Sequence, residues 1–240
     1  MRFTIISLFP SYFDGPFSVS LLKRARDNGL IDIRLVDLRA FGQGRYEQVD
    51  DRVYGGGPGM VLMAQPVIDA VRHVQEPRAK VIYLSPQGKR LTAQRCEELA
   101  QKQNPLILIC GHYEGLDERA LDLVVDEEIS IGDYVLTSGA PAAAVVVDAV
   151  SRFVPGVVGN SESPQNDSFA DGIFDAPLYT RPAEVEGLCV PEVLRCGHHA
   201  EIAAWRQQKA REKTKRVRPD LIENSEGNTQ APPREKEIQP

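Results

Sequence analysis

ISIGDYVLTSG, residues 129–139, begins as a short apolar alternation and ends in a loop of small residues, with Gly132 and Gly139 framing a backbone that something must approach closely. Two earlier runs share that grammar. KVIYLSPQG (residues 80–88) and PLILICGHYEG (residues 105–115) each place four to six apolar, β-favouring residues ahead of a glycine or proline. Three buried strands of this kind put three loops together at one sheet edge. In open parallel sheets, ligands sit at that edge, beyond the carboxyl ends of the strands.

Outward from this stretch, strands and helices alternate. Residues 2–8 read as a strand, 16–27 as a helix stopped by Asn28-Gly29 with the glycine suited to a left-handed cap, and 31–38 as a second strand. Residues 39–60, containing Tyr54 and GGGPGM, are too glycine-rich for core and too long for a plain connection, so they form a functional or mobile segment. They are not a phosphate loop, because no G-x-x-x-x-G-K-[ST] occurs in the chain. A helix is expected over 65–74 and a strand over 80–84. Thr92 caps a helix to about Gln103, a strand covers 106–110, and Asp117 and Glu118 open a short helix. Pro141 suits the first turn of a helix AAAVVVDAVSRFV, which Pro155-Gly156 ends. The pattern predicts an α/β layer with a mainly parallel sheet over residues 1–155.

Farther on, GNSESPQNDSFADGIFD (residues 159–175) reads as an interdomain linker. Prolines 182 and 191 then punctuate short elements before a helix over 198–215, with Ile202 and the core-type Trp205 on one side. The polar residues from Asn224 onward are expected to be disordered.

At 240 residues, 42% hydrophobic and 26% charged, the chain has the make-up of a soluble globular protein with one sizeable core and a smaller unit. No signal peptide is apparent at MRFTIISLFPSYF and no run approaches the ~18 apolar residues of a membrane span, so no membrane association and a cytoplasmic location are expected. The four cysteines are few, and Cys110 falls within a strand, which argues against a disulfide framework. The spacing of Cys189, Cys196, His198 and His199 does not suit zinc, and the histidines are expected to cap or pack the last helix. A net charge of −6 opposes indiscriminate polyanion binding. Yet Arg206, Lys209, Arg211, Lys213, Lys215, Arg216 and Arg218 face only Glu212 as an acid within that run, which is either a phosphate-contact surface or a solvated helix face. Three small-residue loops on an α/β layer suit a ligand cradled by backbone. Adenosyl groups, other nucleotides, coenzymes and anions all meet that description.

The ordered strings VDDRVYGGGPGM (49–60), VIYLSPQG (81–88), CGHYEG (110–115), SIGDYVLTSG (130–139), DAVSRFVPGVVG (148–159), DSFADG (167–172), YTRP (179–182) and CGHHAEIAAWR (196–206) closely resemble the bacterial tRNA (guanine-N1)-methyltransferases, the TrmD-type family, from residue 1 to about Leu221. The resemblance implies a SPOUT-type α/β domain with a deep trefoil knot over residues 1–158. It further implies a linker at 159–175, a small helical tRNA-binding domain at 176–222 and a tail at 223–240. It implies homodimers whose active sites are shared between subunits, with S-adenosyl-L-methionine as methyl donor and guanosine 37 of tRNA, preceded by G, as acceptor.

By that similarity, the donor is held by Tyr83, Leu84, Ser85 and Pro86, by Gly111, Tyr113, Glu114 and Gly115, and by Ile131, Gly132, Asp133, Tyr134, Val135, Leu136 and Gly139. Asp167 matches the base that takes the N1 proton and Arg152 the guanidinium that stabilises charge on O6. Asp175 and six of the basic residues, Arg206, Lys209, Lys213, Lys215, Arg216 and Arg218, are implied in tRNA contact. A dependence on Mg²⁺ is also implied, with Glu114 the nearby carboxylate and no dedicated protein metal site. Without the resemblance, Asp167 reads as a turn residue, Asp175 as a turn or supporting residue, and Arg152 as a partner of a helix dipole. The chain departs from the family pattern at His112, Ser138, Ala140, Pro141 and Val217. Ser138 bears on donor affinity and Val217 removes a phosphate contact. These departures leave a catalytically weakened tRNA-binding protein as a rival, beside a SPOUT ribose 2′-O-methyltransferase.

Overall fold

The fold is seen in a computed structural model that describes residues 1–159 and 167–222. The chain divides into two compact units, Met1–Ser161 and Glu162–Pro240. In the first, the apolar runs become a five-stranded sheet in the order β2-β1-β6-β5-β7, formed by β1 (Arg2–Ser7), β2 (Asp32–Asp37), β5 (Lys80–Arg90), β6 (Leu106–Cys110) and β7 (Glu127–Ser130). Every pairing in it is parallel. The intervening helices are α1 (Ser20–Asp27), α2 (Ala64–Val74), α3 (Ala93–Lys102), α4 (Glu118–Val124) and α5 (Ala140–Ser151).

Both faces of the sheet are covered, which is why LILIC in β6 is apolar without alternation and buried throughout. One face packs Phe3, Ile5 and Leu108 against Leu22 of α1, Leu99 of α3 and Val146, Val147 and Val150 of α5. The other packs Ile6, Ile107 and Ile109 against Val67 and Val71 of α2 and Ala120 of α4.

The expected caps are present. Thr92 Oγ1 accepts from the Arg95 N–H at 3.2 Å and an Asp117 carboxylate oxygen from the Arg119 N–H at 3.0 Å. Gly29 takes the left-handed conformation, φ +70°. Several elements differ from expectation, among them α5, which ends at Ser151 rather than at Pro155. Helix α1 starts at Ser20 rather than 16: a 3-10 turn covers Pro10–Asp14, and Val19 is still extended at φ −132°, ψ 162°. Phe13 and Phe17, stacked at 5.4 Å, anchor the irregular residues between that turn and α1 in the core.

Strand β5 does not end before Ser85 but runs to Arg90, so Tyr83, Leu84, Ser85 and Pro86 belong to a strand and not to a loop. Leu84 and Lys89 both pair with Ile129, and the residues between them bulge out. The bulge accommodates Pro86, which lacks a ladder donor. The segment 39–60 contains β3 (Asp50–Asp51), paired antiparallel with β4 (Val61–Leu62).

In the second unit the expected helix is α6 (His199–Val217), preceded by a small antiparallel pair, β8 (Glu184–Val185) and β9 (Leu188–Cys189), that the helical expectation did not include. His198 takes the N-cap position of α6 without a side-chain cap bond. Trp205 is half-buried, tilted against Tyr179 at 6.3 Å, rather than sealed in a core. Of the expected linker, residues 160–166 lie outside the described residues, as does the tail from 223. Among the described residues no helix is long and apolar enough to cross a membrane.

Candidate active site

A cavity of about 310 Å³ opens where the bulge of β5 meets the loops that follow the carboxyl ends of β6 and β7. From β5, Tyr83, Leu84, Ser85 and Pro86 line it. The Tyr83 hydroxyl reaches beneath the β6 loop, where a Cβ on Gly111 would lie 2.8 Å from it. Burial, and then the charge of Glu128, push the Tyr83 phenol up to about 12, so it stays protonated near neutral pH.

From β6 come Gly111, Tyr113, Glu114 and Gly115. The Glu114 N–H donates to the Met60 carbonyl at 3.0 Å, and the Leu62 N–H to the Gly115 carbonyl at 3.0 Å. A Cβ on Gly59 would lie 2.5 Å from Glu114 Oε1, so the glycine-rich segment folds directly over that side chain. His112, one of the departures from the family pattern, stands edge-on to Tyr113 at 4.8 Å.

The opening stretch supplies Ile131, Gly132, Tyr134, Val135, Leu136 and Gly139. Its last glycine closes the site. The Gly139 N–H donates to the Gly111 carbonyl at 2.7 Å, and a Cβ on Gly139 would lie 2.7 Å from the Gly111 nitrogen. Asp133 is the exception among the expected donor residues. It does not line the cavity, because its carboxylate pairs with Arg90 at the end of β5 and its side chain is 80% exposed. Ser138, expected to bear on donor affinity, lines the cavity, as do Gln87, Thr137 and Ala142, which were not expected there. Those three fall inside or beside the quoted strings, so continuity along the chain is the signal that could have found them. Ser138 Oγ sits 3.4 Å from the Ala140 N–H, a long bond at the start of α5.

The remaining expected residues lie outside the cavity wall. Arg152, in the first unit, follows α5 as its C-cap, and its N–H donates to the Asp148 carbonyl at 3.2 Å. Asp167, in the second unit, is exposed and opens a turn in which its carbonyl accepts from the Ala170 N–H at 3.2 Å. The Asp175 N–H donates to Ser168 Oγ at 3.0 Å, and that hydroxyl donates to the Asp175 carboxylate, so Asp175 closes the turn on itself. The Phe174 N–H donates to Thr214 Oγ1 at 2.9 Å, fastening the turn to α6.

On α6, Arg206, Lys209, Lys213 and Arg216 follow at helical spacing and share a face, whereas Lys215 and Arg211 stand on another, so the basic run is not one stripe. Lys209 pairs with Glu212 at 2.7 Å, Lys213 lies 5.9 Å from the centre of the Phe174 ring, and Arg218 pairs with Asp220 at 2.6 Å. Among the described residues no group of three or more His, Cys, Asp or Glu is placed to hold a metal ion.

A family model for the tRNA (Guanine-1)-methyltransferase TrmD matches residues 1–224. A curated protein of Protochlamydia amoebophila (strain UWE25), tRNA (guanine-N(1)-)-methyltransferase, is 58% identical over 218 residues, 91% of this chain and 98% of the relative. Proteins of the same name from Chlamydia pneumoniae and Chlamydia abortus are 55% and 56% identical over 93% and 92% of this chain. The chain spans 62% of the length of each of those two. By the extent of these matches, the chain belongs to the tRNA (guanine-1)-methyltransferase family.

Proposed function

We propose that the chain transfers a methyl group from S-adenosyl-L-methionine to N1 of guanosine 37 in tRNA. The observation that carries this reading is that, of the residues the resemblance assigns to the donor, all but Asp133 line one cavity closed by main chain. The residues present fit an adenosyl ligand. Gly111 and Gly139 meet where a Cβ would collide, so main chain of two loops packs without side chains at the wall of the cavity.

The donor, when bound, supplies an electrophilic methyl on a sulfonium. Guanine N1 carries a proton at neutral pH, so its lone pair becomes available only as a base removes that proton. Asp167 is the proposed base, and Arg152 the guanidinium that stabilises the charge developing on O6 more in the transition state than before it. Arg206, Lys209, Lys213, Lys215, Arg216 and Arg218 are proposed to contact phosphates, and Asp175 to shape the turn that presents Asp167. Glu114 is the carboxylate on which a Mg²⁺ requirement would draw, since that ion commonly uses one or two carboxylates beside substrate oxygens.

The SPOUT knot, too, is part of this reading. What supports it is the path of the chain. β7 lies at the sheet edge, yet the following residues return over β6 through the Gly139–Gly111 bond, and α5 packs with Phe3, Ile5 and Leu108. The two residues proposed for the chemistry sit in different units, a division consistent with homodimers that share each site. A cytoplasmic enzyme acting on tRNA follows from the same reading.

Incubation with labelled donor and tRNA transcripts bearing G or A at position 37 tests it. Label is expected only with G and only as N1-methylguanosine. Methylation of a ribose would favour the 2′-O enzyme, and tight tRNA binding without transfer the weakened binder.

A further inference from the structure

Glu127 and Glu128 are consecutive on β7 and therefore face opposite sides of the sheet. Glu127 is matched by Lys80 and Arg95. Glu128 has no such match among the described residues: its Oε2 is sealed from solvent and accepts no hydrogen bond from them. An unpartnered desolvated carboxylate oxygen costs folding free energy, and a charge sealed from water acts on its surroundings with little screening.

The place of that oxygen indicates what its charge acts on. Glu128 pairs in register with Tyr83, so both side chains stand on the face where Tyr83, Leu116 and Leu121 pack together. Those three residues also form part of the cavity wall. The carboxylate thus lies behind the floor of the cavity, and its charge is felt there, as the raised Tyr83 phenol records after the larger effect of burial. Among the described residues the wall itself carries Glu114 and Glu118 and neither lysine nor arginine. Glu114 and Glu118 are exposed and screened by water, whereas Glu128 Oε2 is not.

We infer that Glu128 makes the cavity selective for a cationic ligand, favouring the sulfonium donor relative to the neutral thioether left after transfer. The inference rests on the proposed use of S-adenosyl-L-methionine. It assigns Glu128 a role in exchanging product for donor, since loss of the positive charge at sulfur removes the attraction once the methyl has left.

Calorimetric titration of the full chain with S-adenosyl-L-methionine, S-adenosyl-L-homocysteine and the ammonium analogue sinefungin tests it without reference to turnover. At an effective dielectric of about 20, one buried charge changes the binding of another at ~10 Å by roughly tenfold. Glu128→Gln is therefore expected to weaken the sulfonium and ammonium ligands about tenfold and to leave the thioether unchanged. Glu128→Met serves as a second uncharged side chain should the amide fail to fold, with circular dichroism as the check. Glu128→Asp is expected to restore the natural ratio. Parallel weakening of all three ligands, or no change in any, overturns the inference while leaving the donor reading intact. If the natural chain binds neither the donor nor its analogues, both fall.

Discussion

A methyl group added at position 139 would meet the Gly111 nitrogen at 2.7 Å, and that contact joins two stretches of sequence whose glycines had already signalled a close approach. The glycines were legible because their role is conformational and local. Asp133 was not. It sits inside the same string, but an arginine 43 residues away turns it to solvent, and no local pattern records such a partner. Asp167 shows the limit from the other side. A carboxylate opening a turn is ordinary turn chemistry, and only the resemblance proposes it as a base. Asp167→Ala is expected to leave donor affinity within about twofold while single-turnover transfer falls by roughly 10²–10⁴. Transfer at the natural rate would remove Asp167 from that role.

The helix caps at Thr92 and Asp117, the left-handed Gly29 and the strands β1, β2 and β6 follow from short-range chemistry and were all legible within a residue or two. Strand β5 was cut short because Pro86 and Gly88 read as terminators. In the fold, Pro86 occupies a bulge, and Gly88 lets β7 pass where a Cβ would lie 2.5 Å from Glu128 backbone. Tertiary pairing thus overrides a local stop signal.

The same pairing is braced by charge. Glu127 on β7 accepts from Arg95 of α3 and meets Lys80 of β5 at 2.8 Å, with its side chain 15% exposed. Burial alone would raise the Glu127 carboxyl, but these cations outweigh it and hold it below the usual range. A carboxyl lowered by folding adds stability above its unfolded value, about 4.3, and that stability is lost as pH falls through the lower folded value. The natural chain is expected to exceed Glu127→Gln by about 1–3 kcal/mol at pH 7, with the margin shrinking below about pH 4. Denaturant titrations at the two pH values measure it, and a margin indifferent to pH contradicts the sign.

In the second unit the corresponding brace is Thr214, fully buried on α6, which donates to the Ala210 carbonyl at 2.8 Å and accepts the Phe174 N–H at 2.9 Å. Thr214→Val keeps the shape and strands that N–H, at a cost of about 1–3 kcal/mol concentrated in the turn that begins at Asp167. Faster amide exchange at Phe174 is expected, together with slower methyl transfer and unaltered donor affinity. Unchanged protection at Phe174 would mean that this bond does not hold the turn.

Across the whole chain, the α/β layer and its parallel sheet were readable because alternation of strand and helix leaves few ways to cover both faces. The proposed knot could not be read in the same way, since topology of that kind has no periodicity and runs against the usual rules of connection. Nor does any pattern in one sequence say which copy completes a site. Arg152 belongs to one compact unit and Asp167 to the other, and the proposed sharing between copies has a direct consequence for mixed dimers.

The decisive measurement is transfer by a doubly tagged, purified heterodimer in which one copy carries Asp167→Ala and the other Arg152→Ala. If each site combines Arg152 of one copy with Asp167 of its partner, the heterodimer retains one intact site and about half the natural single-turnover amplitude, while both mutant homodimers are inactive. A heterodimer as inactive as those homodimers would contradict the shared-site account.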